Sequence, residues 1–121
     1  MPIRLVYVDD EVDLLELFAD MFSSSEVVIE TYSDPVRAIA AIRDNPPDLI
    51  FLDHRLPRTT GDQIARQLDP AIPRALVTGD VTVQLESHFE AIFEKPFPIA
   101  KIREFIQSHV ARNARPGNVG K

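Results

Sequence analysis

Four consecutive apolar residues, Leu49-Ile50-Phe51-Leu52, run directly into Asp53, and this run narrows the possible folds more than any other feature of the chain. A strand with one face in water alternates apolar and polar residues. An unbroken apolar run calls instead for a strand covered on both faces, as in a parallel sheet. Parallel neighbours cannot be joined by a tight turn and need crossovers of roughly a dozen residues or more. The rest of the chain supplies them. Short β-like runs at Ile3–Val8, Val27–Thr31, Arg74–Thr78 and Ala91–Glu94 alternate with segments of helical period, and the prolines fall mostly at the joints.

The helical segments read as follows. Leu14, Leu15, Leu17, Phe18, Met21 and Phe22 make an apolar stripe, while Asp13, Glu16 and Asp20 lie off it. Asp34-Pro35 is an N-cap with a first-turn proline, opening a helix through Val36, Ile39 and Ala40 that Asn45-Pro46-Pro47 closes. Gly61 to Leu68 gives a short third helix. Ile99, Ile102, Phe105, Ile106 and Val110 mark the last and clearest one, with Pro98 near its first turn. The expected domain is 1–113, with 114–121 a fraying tail. Five βα units predict an α/β fold with a doubly wound, five-stranded parallel sheet and helices on both faces.

Open sheets of this kind carry their sites beyond the carboxyl ends of the strands. Strand one ends at Asp9-Asp10, strand three at Asp53, strand four at Thr78 and strand five at Lys95. Three carboxylates brought together raise one another's pKa unless a cation joins them. With oxygen donors only, the fitting cation is a hard one, Mg²⁺ or Mn²⁺ in its place. A carboxylate flanked by metal, the Thr78 hydroxyl and the Lys95 ammonium is suited to accept a phosphoryl group.

Composition excludes competing chemistries. The chain has no cysteine, so disulfides, thiolate metal sites and Cys nucleophiles are out. A net charge of −6 without a basic run argues against a direct nucleic-acid partner. No apolar run is long enough to cross a bilayer, and an acidic cluster stands where a signal peptide would continue its apolar stretch, so a cytoplasmic location is expected. His88 and His109 lack metal-ligand spacing, and His54 reads as a rim residue beside Asp53.

Val8-Asp9-Asp10-Glu11, Asp53 followed by Leu56-Pro57 and Gly61, Val77-Thr78-Gly79 and Glu94-Lys95-Pro96-Phe97 occur in order at four strand ends. In these motifs the sequence resembles the receiver domains of two-component response regulators, from residue 3 to about 112. The resemblance implies a flavodoxin-like strand order 2-1-3-4-5, with Asp53 taking a phosphoryl group from a histidine kinase, a phosphotransfer protein or a small acyl phosphate. It implies Asp10 as a direct metal ligand and Asp9 as one acting through water. The Arg55 backbone carbonyl would be a further ligand, with Thr78 and Lys95 on the phosphoryl oxygens. It also implies a cis Lys95-Pro96 bond, access for the donor past Gly79, and a catalysis confined to the protein's own modification. A downstream protein partner and a monomer or weak homodimer complete the expectation, which is of a stand-alone receiver.

Three positions depart from that pattern. Lys95 follows Thr78 by 17 residues, fewer than the family usually has, and β-branched residues crowd Val81-Thr82-Val83. A fourth helix there is expected to be short, shifted or partly melted. Ile92 stands where an aromatic switch residue is common, with Phe93 beside it. Arg55 and Asp80, each two residues past a site residue, are expected to rim the site and to gate water through a salt bridge. Two other readings stand beside the receiver: a haloacid-dehalogenase-like phosphohydrolase, which needs an Asp-x-Asp that Arg55 interrupts, and a receiver-fold binding module without phosphorylation.

Overall fold

The computed structural model describes residues 1–80 and 82–114. Val81 and nearly all of the expected tail lie outside these residues; Ala114, its first residue, ends the last helix. In chain order the elements are β1 (Ile3–Val8), α1 (Val12–Phe22), β2 (Val27–Tyr32), α2 (Pro35–Asp44), β3 (Leu49–Asp53), α3 (Gly61–Ala65), β4 (Arg74–Thr78), β5 (Ala91–Glu94) and α4 (Ile99–Ala114). All strand pairs are parallel, in the order β2-β1-β3-β4-β5.

Every residue of β3 and β4 is buried, as the apolar run demands, and side chains alternate between two cores. Leu5, Tyr7, Leu49, Phe51, Ala75, Val77 and Phe93 face Leu15, Phe18 and Phe22 of α1 and Ile102, Ile106 and Val110 of α4. Val6, Val8, Ile50, Leu52 and Leu76 face Ala38 and Ile42 of α2, Ile64 and Ala65 of α3, and the chain beyond α3. Local capping explains where the middle helices start. The Asp34 side chain accepts the Val36 N–H at 3.1 Å, and Thr60 and Gln63 form a reciprocal capping box at α3. That third helix is shorter than expected, ending at Ala65 instead of Leu68. The guanidinium of buried Arg74 donates to the carbonyls of Ala65 (2.7 Å), Ile72 (3.0 Å) and Asp69, tying down the turn after α3.

The expectation of five βα units needs correction. Among the described residues no helix stands between β4 and β5, and there are four helices instead of five. The parallel crossover is made by an irregular strap. Side chains at its start offer the backbone other partners. Thr78 Oγ1 accepts the Asp80 N–H at 3.0 Å and donates to the Asp80 carbonyl at 3.1 Å. The Asp80 carboxylate accepts from Thr82 N (2.9 Å) and Thr82 Oγ1 (2.6 Å). Leu85 and Phe89 pack against the α2–α3 core and so do the burying that a helix would otherwise do.

Candidate functional site

Register brings the site together. Val8 is level with Leu52, so one residue further along Asp9 comes beside Asp53. Thr78 is level with Glu94, and the Lys95 N–H donates to the Thr78 carbonyl at 2.8 Å, which carries Lys95 to the same edge. The Lys95-Pro96 bond is cis. One carboxylate oxygen from each of Asp9, Asp10 and Asp53 lies within 4.8 Å of the others. Asp9 is fully buried and Asp53 nearly so, whereas Asp10 is exposed.

Lys95 Nζ sits among these acids, 3.1 Å from Asp53 Oδ1, 3.2 Å from Asp9 Oδ2 and 3.6 Å from Glu11 Oε1. Burial first, and then the neighbouring Asp9, push the Asp53 carboxyl up to about 6, with Lys95 opposing both. Burial works against the Lys95 ammonium, but Asp9 and Asp53 outweigh it and hold the amine above its ordinary value. The Tyr7 hydroxyl donates to Asp9 Oδ2, and the Glu11 N–H donates to Asp9 Oδ1 at 2.9 Å. Burial, followed by Asp9, raises the phenol well above its usual value. Every donor of the Asp9-Asp10-Asp53 set is an oxygen and a cation already bridges two of its members, so the set fits a hard divalent ion.

The remaining expected residues fall as follows. Thr78 is buried, with its hydroxyl engaged by Asp80 in both directions. Around Gly79 a Cβ would meet nothing within 4 Å, so its small size matters only to an incoming group. Arg55 Nη2 reaches Asp80 Oδ2 at 4.0 Å, with the arginine side chain 78% exposed. Ile92 is exposed, while Phe93 is buried and stacks on Phe51 at 5.9 Å, so the adjacent aromatic belongs to the core. His54 keeps an Nδ1 without a partner among the described residues. His109 lies buried, with Nε2 2.9 Å from Glu90 Oε1.

Sequence reading gave no site role to Tyr7, Asp62 or Glu11, the last read only as part of the Val8-Asp9-Asp10-Glu11 motif. Tyr7 was legible, since residues two apart on a strand share a face. Asp62 was not: its carboxylate accepts the N–H groups of Glu86 (3.0 Å) and Ser87 (2.8 Å), residues remote in sequence.

The comparisons with known proteins agree with this geometry. The chain is 28% identical over 117 residues to the DNA-binding response regulator MtrA of Mycolicibacterium paratuberculosis, covering 91% of this chain and 52% of that protein. It thus spans about half the length of the curated relatives it matches. A CheY-like receiver domain from Methylobacillus flagellatus superposes with a TM-score of 0.81 at 21% identity, covering 90% of this chain and 99% of that one. Another, from Methanospirillum hungatei, gives 0.82 at 21%, covering 93% and 96%. No helix among the described residues is long and apolar enough to cross a membrane. The model of the response regulator receiver domain matches residues 5–107, a stretch that runs from β1 into α4 and takes in the whole sheet edge, and the chain belongs to that family.

Proposed function

We propose that this receiver accepts a phosphoryl group on Asp53 and signals through the change that follows. The observation that carries the reading is the position of Lys95 Nζ, within 3.2 Å of both Asp53 and Asp9 at the edge where three carboxylates converge. A carboxyl with a pKa of about 6 is mostly ionised at neutral pH and is a competent oxygen nucleophile. Its oxygen attacks the phosphorus of a phosphohistidine, or of a small acyl phosphate. A P–O bond forms to Asp53 as the P–N bond (or the donor's P–O bond) breaks, and the electron pair leaves on the imidazole nitrogen or the donor carboxylate. Lys95 then pairs with the phosphoryl oxygens, and the open space at Gly79 admits the donor. Asp9, Asp10 and Asp53 would hold Mg²⁺ or Mn²⁺, with the Arg55 carbonyl as a further ligand; bound there, the ion neutralises the charge on the transferring group.

The chemistry is thus performed on the protein itself, with a sensor histidine kinase or phosphotransfer protein as donor and a protein as downstream partner. The test is incubation with Mg²⁺ and a small acyl phosphate, read by intact mass. Wild type should gain one phosphoryl group and Asp53→Asn none. A wild type that gains nothing, with the cognate kinase as well, would leave the same fold acting only as a binding module.

A further inference from the structure

Tyr7 has the largest fully buried side chain of the described residues, and it sets a hydroxyl against the carboxylates of the site. Its ring is held from two sides. The Phe18 ring of α1 lies 4.5 Å away between centroids, and the Phe97 ring meets it edge-on at 6.1 Å. Phe97 is two residues past Lys95, so the same ring seats both α1 and the loop that presents the ammonium. Residues two apart on a strand share a face, which brings the fixed hydroxyl to Asp9, where it donates to Oδ2.

A carboxylate offers about four acceptor positions. In Asp9 both oxygens are engaged: Oδ1 by the Glu11 N–H at 2.9 Å, and Oδ2 by the Tyr7 hydroxyl together with Lys95 Nζ at 3.2 Å. Asp9 is fully buried, so bulk water does not compete for them. Lys95 in turn divides its protons between Asp9, at 3.2 Å, and Asp53, at 3.1 Å. The distances nearly match, although the two acceptors differ. Asp9 Oδ2 already takes a bond from Tyr7, whereas Lys95 is the one hydrogen-bonding partner of the Asp53 carboxylate among the described residues.

Without the Tyr7 proton, Asp9 Oδ2 would carry more unscreened charge in a water-poor site and would draw the ammonium onto itself. We propose that Tyr7 is a positioning residue for phosphoryl transfer: its hydroxyl partly satisfies Asp9 and so leaves Lys95 shared with Asp53, where the transferred group arrives. Tyr7 touches neither Asp53 nor Lys95 with its hydroxyl and acts through Asp9. The effect on transfer rests on the phosphoryl reading of Asp53; the sharing of Lys95 does not.

Tyr7→Phe removes the hydroxyl and keeps a ring against Phe18 and Phe97. Without metal or donor, the ¹⁵Nζ resonance of Lys95, assigned by its loss in Lys95→Arg, should shift in Tyr7→Phe. In an Asp9→Asn background the same substitution should leave that resonance where it is, because the hydroxyl reaches Lys95 through Asp9. With saturating Mg²⁺ and an acyl phosphate, intact-mass time courses should show phosphorylation slowed roughly tenfold, the order expected for loss of about one hydrogen bond to a charged group. Urea midpoints report the packing. A purely structural role would lower the midpoint and slow phosphorylation with the Lys95 resonance unmoved. An unshifted resonance overturns the sharing, and the same shift in the Asp9→Asn background overturns the route through Asp9. An unchanged limiting rate overturns the positioning role. If wild type gains no phosphoryl mass, the receiver reading falls and takes the effect on transfer with it, while the Lys95 resonance still decides whether Tyr7 sets the sharing.

Discussion

Asp53 is surrounded by groups that each limit what can replace them. Gly61 is the strictest. A methyl group there would stand 2.6 Å from the Asp53 carbonyl oxygen and 2.8 Å from Leu76 Cδ1, one of them backbone that cannot swing aside. Gly61→Ala should therefore destabilise the protein by ~1–3 kcal/mol, the usual cost of overpacking, and slow phosphorylation because the strain falls on the acceptor strand. Urea unfolding and intact-mass time courses measure both; an unchanged midpoint would count against the close approach. Arg55 and Asp80 make the opposite case. Their pair is long and exposed, so its loss should leave folding unchanged. If the pair screens the acyl phosphate from water, Arg55→Ala/Asp80→Ala should shorten the phosphorylated lifetime, and equal decay rates would refute the gate. The identity and spacing of these residues were legible in the sequence; the 2.6 Å approach at Gly61 was not, because it depends on where α3 lands.

The helix expected to follow β4 is replaced by side-chain bonds, at Thr78–Asp80 near the site and at Asp62 further on. Shortness and β-branching in the segment signalled weak helicity, yet nothing local pointed to Asp62, which lies 24 and 25 residues before Glu86 and Ser87 in the sequence. The last helix shows a similar remote tie. His109 of α4 contacts Glu90, just before β5, and lies 4.9 Å from the Phe105 ring. Burial holds its imidazole below the ordinary 6.5; Glu90 opposes this and Arg112 adds to it. The folded state therefore binds this proton less readily than the unfolded chain does. The associated stability is complete above about 6.5 and is lost as pH falls through the folded value. Wild type should lose more stability than His109→Gln between pH 7.5 and pH 5, measured by urea unfolding at both. A pH-independent difference between the two proteins would show that His109 does not titrate in this way.

At the scale of the molecule, one sheet with two covered faces leaves its carboxyl edge as the place where charge collects. Binding a divalent ion there should stabilise the fold by mass action, by ~2.7 kcal/mol at about a hundredfold excess over Kd. Asp10→Asn should remove most of the Mg²⁺-dependent rise in thermal midpoint while altering the metal-free midpoint little, since Asp10 is exposed. A rise of equal size in the variant would exclude Asp10 as a ligand. Much of this architecture was set by the sequence alone. The apolar run of β3, the alternation of strand and helix, and carboxylates and a lysine at strand ends are local patterns with direct physical meaning, and they led to the parallel sheet and to Asp9, Asp10, Asp53 and Lys95, while the strand order followed from the resemblance to receiver domains. Only the tertiary structure decided how the strap is held at Asp62 and that Phe93 turns into the core against Phe51. Those outcomes depend on which buried donor meets which acceptor once the elements pack, and no local pattern encodes a partner that lies twenty or more residues away.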